Sequence, residues 1–414
     1  MGSMETQTLK RYEQYVNPAL VRIFHLMGLT AVESHSDGMY IFDQNGQAYL
    51  DCLGGYGVFG LGHSHPEVLQ AVKDQLNRMA LSGKILLNDK MAELCELLAM
   101  IMPGMQYSFV VNSGTEAVEG ALKLARIYTG KTKIIAMNNA FHGKTFGALS
   151  ATGRDLFRQP FEPLVPGFYH VEFDDISALE KLIDKDTAAV IIEPVQGEGG
   201  IIVPQAGYLK AVQELCKENK ALLICDEVQT GFGRTGKMFA VEYDGIMPDI
   251  MITAKALGGG IMPIGAFSAR AEVWEPYLKY PFIHTSTFGG NPLACAAGVV
   301  AIKVLQRDYE KFSVAKKGEI FIEGLRLLQA QYPQLIQAVR GRGLMIGIAL
   351  TTEAIGAFLM AACIDEHILI AYTLNNPRVI RLEPPFLISE IEIKRVLAVF
   401  SRSLARAENI FKER

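Results

Sequence analysis

The sequence has no cysteine pair in a CxxC arrangement. Its six cysteines (Cys52, Cys95, Cys216, Cys225, Cys295 and Cys363) are scattered, which argues for reduced, mostly buried thiols in a cytosolic protein. It also lacks an excess of positive charge. The formal net charge is -4, so composition argues against a nucleic-acid partner. No apolar run approaches membrane-spanning length, and no signal-peptide pattern opens the chain. The opening MGSMET does satisfy the myristoylation pattern MGxxx[ST], but Gly2-Ser3 before a second Met reads as a cloning scar. Internal repeats, low-complexity segments and long linkers are absent. What remains is a chain of 414 residues, 50% hydrophobic and 20% charged, able to bury a substantial core as a large domain with a smaller one.

Between about residue 105 and 290, apolar runs such as KIIAMNNAF, AAVIIEPVQG, ALLICDEV and IGAFSAR alternate with helical patterns such as AGYLKAVQELCKENK. Strands that are continuously apolar indicate a sheet covered on both faces, hence an α/β domain. MYIFDQNGQAYLDCLG reads as a hairpin around Asn45-Gly46. After Pro292 a long helical stretch leads to MIGIAL, ILIAYTL and VIRLEPP, short strands among helices.

Lys255 follows an apolar run in DIMITAKALGGG, and ALLICDEVQTG ends in Asp226 and Glu227. A lysine and an aspartate delivered by separate strand ends suit pyridoxal phosphate chemistry. The amine forms a Schiff base with the aldehyde, and the carboxylate keeps the pyridine nitrogen protonated. In YSFVVNSGTEAVEGALKLARIYTG a strand stops at Asn112 and a helix starts after Ser113. Ser113 with Glu116 forms a capping box. The same turn is suited to an anion, because Gly114 lets the backbone approach and Ser113 and Thr115 carry hydroxyls at a helix N-terminus. Both readings can hold for different residues of one turn. HTSTFGGNPLACAAG is a loop entering a small-residue helix, with Thr285, Ser286 and Thr287 as candidate phosphate donors.

These motifs, in this order, resemble the class III aminotransferases, a pyridoxal-phosphate family of fold type I. The resemblance runs from LDCLGGYGVFGLGHSHPEV through AFHGKTFGALSATG, IIEPVQGEGG, CDEVQTGFGRTGKMFA and TFGGNP to IRLEPPF. CLGGYGVF, MPIGA and TLNNPRVIRLEPP look most like the putrescine (diamine) branch. The resemblance implies an α/β fold with a large domain, a mainly parallel central sheet covered by helices, and a small α+β domain built from both chain ends. The corresponding division is an N-terminal segment 1–60, a cofactor-binding domain 61–300 and a C-terminal part 301–414.

The resemblance also implies roles. Lys255 carries the Schiff base to pyridoxal 5'-phosphate and then acts as base and acid in the proton shift. Asp226 pairs with the ring nitrogen. Val228 and Phe141 cover the two ring faces, with His142 beside Phe141, and Gln229 hydrogen-bonds the ring oxygen. Ser113, Gly114 and Thr115 hold the phosphate, joined by Thr287 from a neighbouring subunit, so a homodimer is expected. Arg381 binds the carboxylate of 2-oxoglutarate or pyruvate as a bidentate pair, and Glu193 neutralises it when a diamine occupies the site. Glu198, Tyr56 and Phe59 line the pocket. No metal site is expected.

The expected reaction is ping-pong transfer of a terminal amino group through pyridoxamine phosphate. The alternatives are amination of an aldehyde in a specialised pathway, acetylornithine or ornithine transamination, and an aminomutase or decarboxylase on the same scaffold. Of a different class is a nucleotide hydrolase. GFGRTGKM (Gly231 to Met238) nearly satisfies GxxxxGK[ST], but Met238 stands where the magnesium-binding hydroxyl belongs.

Overall fold

The structure, a computed structural model, describes residues 4–102 and 104–412. Gly2 and Ser3, within the myristoylation pattern, lie outside the described residues. The apolar runs form one seven-stranded sheet: β1 (Tyr107–Val111), β2 (Lys133–Met137), β3 (Phe168–Val171), β4 (Thr187–Ile192), β5 (Leu222–Asp226), β6 (Ile250–Thr253) and β7 (Gly265–Ala269). Their spatial order is β1-β7-β6-β5-β4-β2-β3. β7 runs against both its neighbours, and every pairing from β6 across to β3 is parallel. Every residue of β4, β5, β6 and β7 is buried, as expected for strands covered on both faces.

Helix α1 (Gly114–Thr129) covers one face with Ala117, Val118, Ala121, Leu122, Leu124 and Ala125. Its small residues permit a close approach. A Cβ at Gly120 would stand 2.1 Å from Cε1 of Phe267, a fully buried ring whose removal from water is worth about 1.5–3 kcal/mol. Helix α2 (Pro292–Phe312) lies on the other side, started by Asn291, whose side chain accepts from Ala294 N at 2.9 Å, and by Pro292 at its first position.

The chain ends build two further four-stranded sheets, and with their helices these form the small α+β domain. One combines the hairpin Tyr40–Asp43/Ala48–Asp51 with Glu33–Asp37 and, from the far end of the chain, Ile368–Leu369. Ile368 and Leu369 pair in parallel with Leu50 and Asp51. The expected hairpin turn is present: Gly46 has φ +80°, and Asp43 Oδ1 accepts from the backbone N–H of Asn45 and Gln47 at 2.8 and 2.9 Å. The other sheet is antiparallel and places Asn376–Leu382 between Met345–Leu350 and Ala371–Thr373. Arg381 sits on that central strand.

GFGRTGKM is not a phosphate loop, because only a single 3-10 turn, Ala240–Tyr243, follows it. Its fully buried Arg234 donates through Nη1 to the carbonyls of Leu344 (3.0 Å) and Pro384 (2.6 Å), and its guanidinium lies over Phe386. The segment therefore ties the large domain to the small one, and the nucleotide-hydrolase reading falls. No described helix is long and apolar enough to cross a membrane.

Candidate active site

Ligands of open α/β sheets bind beyond the carboxyl ends of the strands, and here those ends open into a cavity of about 650 Å³. Asn112 through Thr115 follow β1, Phe141 and His142 follow β2, and Glu193 follows β4. Asp226 ends β5, and Lys255 lies two residues past β6. All of them line the cavity, together with Phe59, Glu198, Val228 and Gln229.

Lys255 adopts φ +47°, a left-handed conformation costly for a lysine, and the turn through Gly258 and Gly259 follows. Its side chain is half-buried where it lines the cavity. That desolvation lowers its pKa, opposed by the nearby carboxylates of Glu383 and Glu198. A lysine shifted this way is more readily neutral, which suits both nucleophilic attack and proton abstraction.

Asp226 is anchored on two sides. Its Oδ1 accepts from Val228 N at 3.1 Å, and its Oδ2 lies 2.7 Å from His142 Nδ1. Burial pushes the His142 imidazole down, but the Asp226 carboxylate outweighs it, and the pKa is raised overall. His142 therefore donates to Asp226 and fixes its orientation.

At the start of α1, Ser113 accepts from Glu116 N at 3.3 Å. Glu116 reaches back one residue further than a capping box requires, taking Asn112 N at 2.6 Å. Thr145 Oγ1 donates to Glu119 Oε1 at 2.6 Å, so Thr115 Oγ1, 3.0 Å away, is the donor of the threonine pair. Backbone approach is close here, since a Cβ at Gly114 would stand 3.2 Å from Val228 Cγ1. Thr287 is exposed and does not line the cavity of this single chain.

The substrate end departs from the sequence reading. Glu193 does not pair with Arg381. Its carboxylate accepts from Phe141 N (3.0 Å) and Gly197 N (3.1 Å), and desolvation raises its pKa to about 7. Glu198 is the partner of Arg381, with Nη1 to Oε1 at 2.7 Å and Nη2 bonded to Oε2. Burial opposes both charges, yet mutual attraction prevails, lowering the Glu198 pKa and raising that of Arg381. Tyr56, at φ +61°, places its ring 5.0 Å from the guanidinium carbon. The Phe59 and His63 rings lie 3.9 Å apart, tilted by 30°, and His63 is held by Asp51 at 2.8 Å.

One residue of this end was not assigned from sequence. Glu383 is fully buried. Its Oε2 accepts from Gln229 Nε2 at 3.1 Å and lies 3.9 Å from Arg381 Nη1. The available signal was its position two residues after Arg381, which in an extended strand places both on one face.

A lysine amine, an oriented aspartate, an aromatic and an aliphatic wall, and a helix N-terminus with a donor hydroxyl form the donor set a pyridoxal phosphate requires. The cavity is within the usual size for such ligands. The chain matches the aminotransferase class-III family over residues 26–404 and belongs to it. It is thus a pyridoxal-phosphate-dependent aminotransferase.

Among relatives, it is 47% identical to the putrescine aminotransferase of Pectobacterium atrosepticum, over 96% of this chain and 88% of that protein. Among solved structures it resembles the ornithine aminotransferase of Toxoplasma gondii, crystallised with PLP at partial occupancy in the active site. There the TM-score is 0.87 and the identity 35%, over 92% of each chain. A Bacillus anthracis aminotransferase superposes with a TM-score of 0.91 at 28% identity, covering 98% of this chain and 100% of that one.

Proposed function

We propose that this enzyme moves the terminal amino group of a putrescine-like diamine to 2-oxoglutarate or pyruvate. The observation that carries the proposal is the buried Arg381–Glu198 ion pair, whose Glu198 lines the cavity. A transaminase must accept two unlike substrates in one site. A guanidinium with a displaceable carboxylate is closed when the diamine binds and open when the keto acid does. An aminomutase or decarboxylase gains nothing from such a pair.

Pyridoxal 5'-phosphate, when bound, supplies the electron sink and the carbonyl carbon that stores the amino group between half-reactions. With the cofactor bound, Lys255 Nζ would take a proton from the amine-bearing carbon of the substrate and give it back on the far side of the nitrogen, a 1,3-shift. Asp226, steadied by His142, would hold a proton at the ring nitrogen. Phe141 and Val228 would cover the ring faces, Gln229 would donate to the ring oxygen, and Ser113, Gly114 and Thr115 would hold the phosphate. The exposure of Thr287 supports its reaching the phosphate site of a second copy, and hence a homodimer. All six cysteines are free, which supports a reducing, cytosolic setting. The large domain is taken as 61–300, with 1–60 and 301–414 forming the small one.

Ornithine is the second reading, supported by the Toxoplasma gondii relative, and it too offers a terminal amine. The visible spectrum of the loaded enzyme, mixed with putrescine and no keto acid, tests the proposal. Bleaching of the cofactor band is expected. An intact band with putrescine that ornithine bleaches would overturn the diamine assignment.

A further inference from the structure

We infer that Arg340 is a positioning residue for substrate exchange: it clamps the loop that carries Glu198 and so sets how readily a keto acid displaces Glu198 from Arg381. The inference rests on the amine-to-keto-acid transfer proposed above.

Strand Ile336–Arg342 pairs with Met345–Leu350, which pairs in turn with Asn376–Leu382. Arg340 stands opposite Gly347, and Gly347 stands opposite Arg381. Residues directly opposite one another share a face of the sheet. Two arginines therefore flank a glycine, about 10 Å apart across two strand spacings.

The loop from Glu198 to Ile201 lies along this row. Arg381 holds the Glu198 carboxylate at one end. In the middle, Ile201 fills the gap that Gly347 leaves, since a Cβ there would stand 2.8 Å from Ile201 Cβ. Ile201 is fully buried and packs with Val195 and Met345. At the other end Arg340 Nε donates to Gly200 O at 2.9 Å. The fit is close, because a Cβ at Gly200 would stand 3.2 Å from Arg340 Nη2, and Gly200 has φ +120°, which favours glycine. Arg340 is half-buried, and desolvation alone shifts its pKa, downwards. Its hydrogen-bond acceptor among the described residues is this carbonyl, not a carboxylate, so it holds backbone in place.

Behind the loop is a second cavity of about 540 Å³, lined by Gln196, Gly199, Ile202, Arg340, Asn376 and Arg378. The loop has room to shift once the clamp is lost. With the clamp in place, only the Glu198 side chain has to reorder to regain Arg381. Without it the backbone must be ordered as well, and the effective concentration of the carboxylate at Arg381 falls. Two tethers survive, Asn375 N to Glu198 O at 3.0 Å and the Gln196–Ile202 exchange, so the loss is partial. The net strength of one hydrogen bond, expressed as an equilibrium, is a factor of about three to ten.

The test titrates glutarate, a non-reacting dicarboxylate, against the cofactor's absorption in the loaded wild type, Arg340→Met and Arg340→Lys, each with and without Glu198→Gln. Arg340→Met should bind glutarate about three- to tenfold more tightly. Arg340→Lys keeps the charge but not the N–H at Nε, and should gain about two- to threefold. With Glu198→Gln already present, no carboxylate returns to Arg381, and neither substitution should tighten binding further. Unchanged or weaker glutarate binding by these variants, with cofactor absorbance intact, would overturn the inference, as would an equal gain in the Glu198→Gln background. Arg340→Lys decides the matter where Arg340→Met does not fold. Glutarate binding needs no turnover, so a wild-type cofactor band that putrescine leaves intact would count against the diamine proposal alone.

Discussion

Replacing Glu198 by Gln separates the two jobs of the Arg381 pair. In the wild type a substrate carboxylate reaches Arg381 only by displacing Glu198, bonded at 2.7 Å and 8% exposed. At about 4 Å and an effective dielectric constant of about 20 the pair is worth about 4 kcal/mol of Coulomb energy. The incoming carboxylate recovers most of this. A net displacement cost of about 1–2 kcal/mol remains, or roughly 5- to 30-fold in affinity. Glu198→Gln should therefore bind glutarate about 5- to 30-fold more tightly.

The same change should cost stability. An unpaired buried guanidinium costs about 3–5 kcal/mol. The neighbouring Glu383 and the remaining amide oxygen reduce that to about 2–3 kcal/mol, a fall of a few degrees in Tm. Titrating glutarate against the cofactor's absorption, and melting each protein with and without it, reads both effects. Glutarate should raise the variant's Tm more than the wild type's. Equal or weaker glutarate binding by Glu198→Gln would refute the displacement argument.

Three further outcomes are expected. Lys255→Ala should retain cofactor by absorbance yet lose turnover by about 10⁴-fold or more, with partial rescue by added methylamine; substantial turnover without added amine would exclude Lys255 as the proton carrier. Glu193, with a folded pKa of about 7 above its unfolded value, contributes stability that is fully present below about pH 4.5 and lost as pH rises through 7. The stability of the wild type relative to Glu193→Gln should thus fall by about 2–3 kcal/mol between pH 5 and pH 8 in urea unfolding, and a pH-independent difference would contradict the burial argument. Gly197→Ala would place a Cβ 1.5 Å from Gln229 Oε1; because that is the end of a movable side chain, the fold should survive while the cofactor's absorption maximum shifts, and an unshifted maximum would remove Gln229 from the ring's surroundings.

The central sheet was legible because its strands are apolar without interruption, and Asp226 and Lys255 were legible because each lies at or just beyond a strand end. The choice between Glu193 and Glu198 was not. Both belong to one short segment, and which reaches Arg381 depends on how the loop folds back. Gln196 and Ile202 exchange backbone hydrogen bonds, and this carries Glu198 to Asn375 N and Leu374 N beside the Arg381 strand. Glu193, next to the strand end, finds backbone donors instead. Nothing local in IIEPVQGEGG encodes that difference, because the partner strand is far away in the chain. Glu383 escaped for a related reason: the two prolines after it read as the start of a loop, which concealed its burial.

The parallel pairing of Leu50 and Asp51 with Ile368 and Leu369 bears on how the protein is made. Strand Ala48–Asp51 emerges from the ribosome long before its partner, so one hydrogen-bonding edge waits uncovered through most of synthesis. The strand that ends in Asp226 and the one that leads to Lys255 also emerge before Arg381. A nascent chain can thus assemble the floor that receives the cofactor before it owns the residue that discriminates between substrates. Selectivity is the last property the growing polypeptide acquires, and it arrives with the segment that covers the waiting edge.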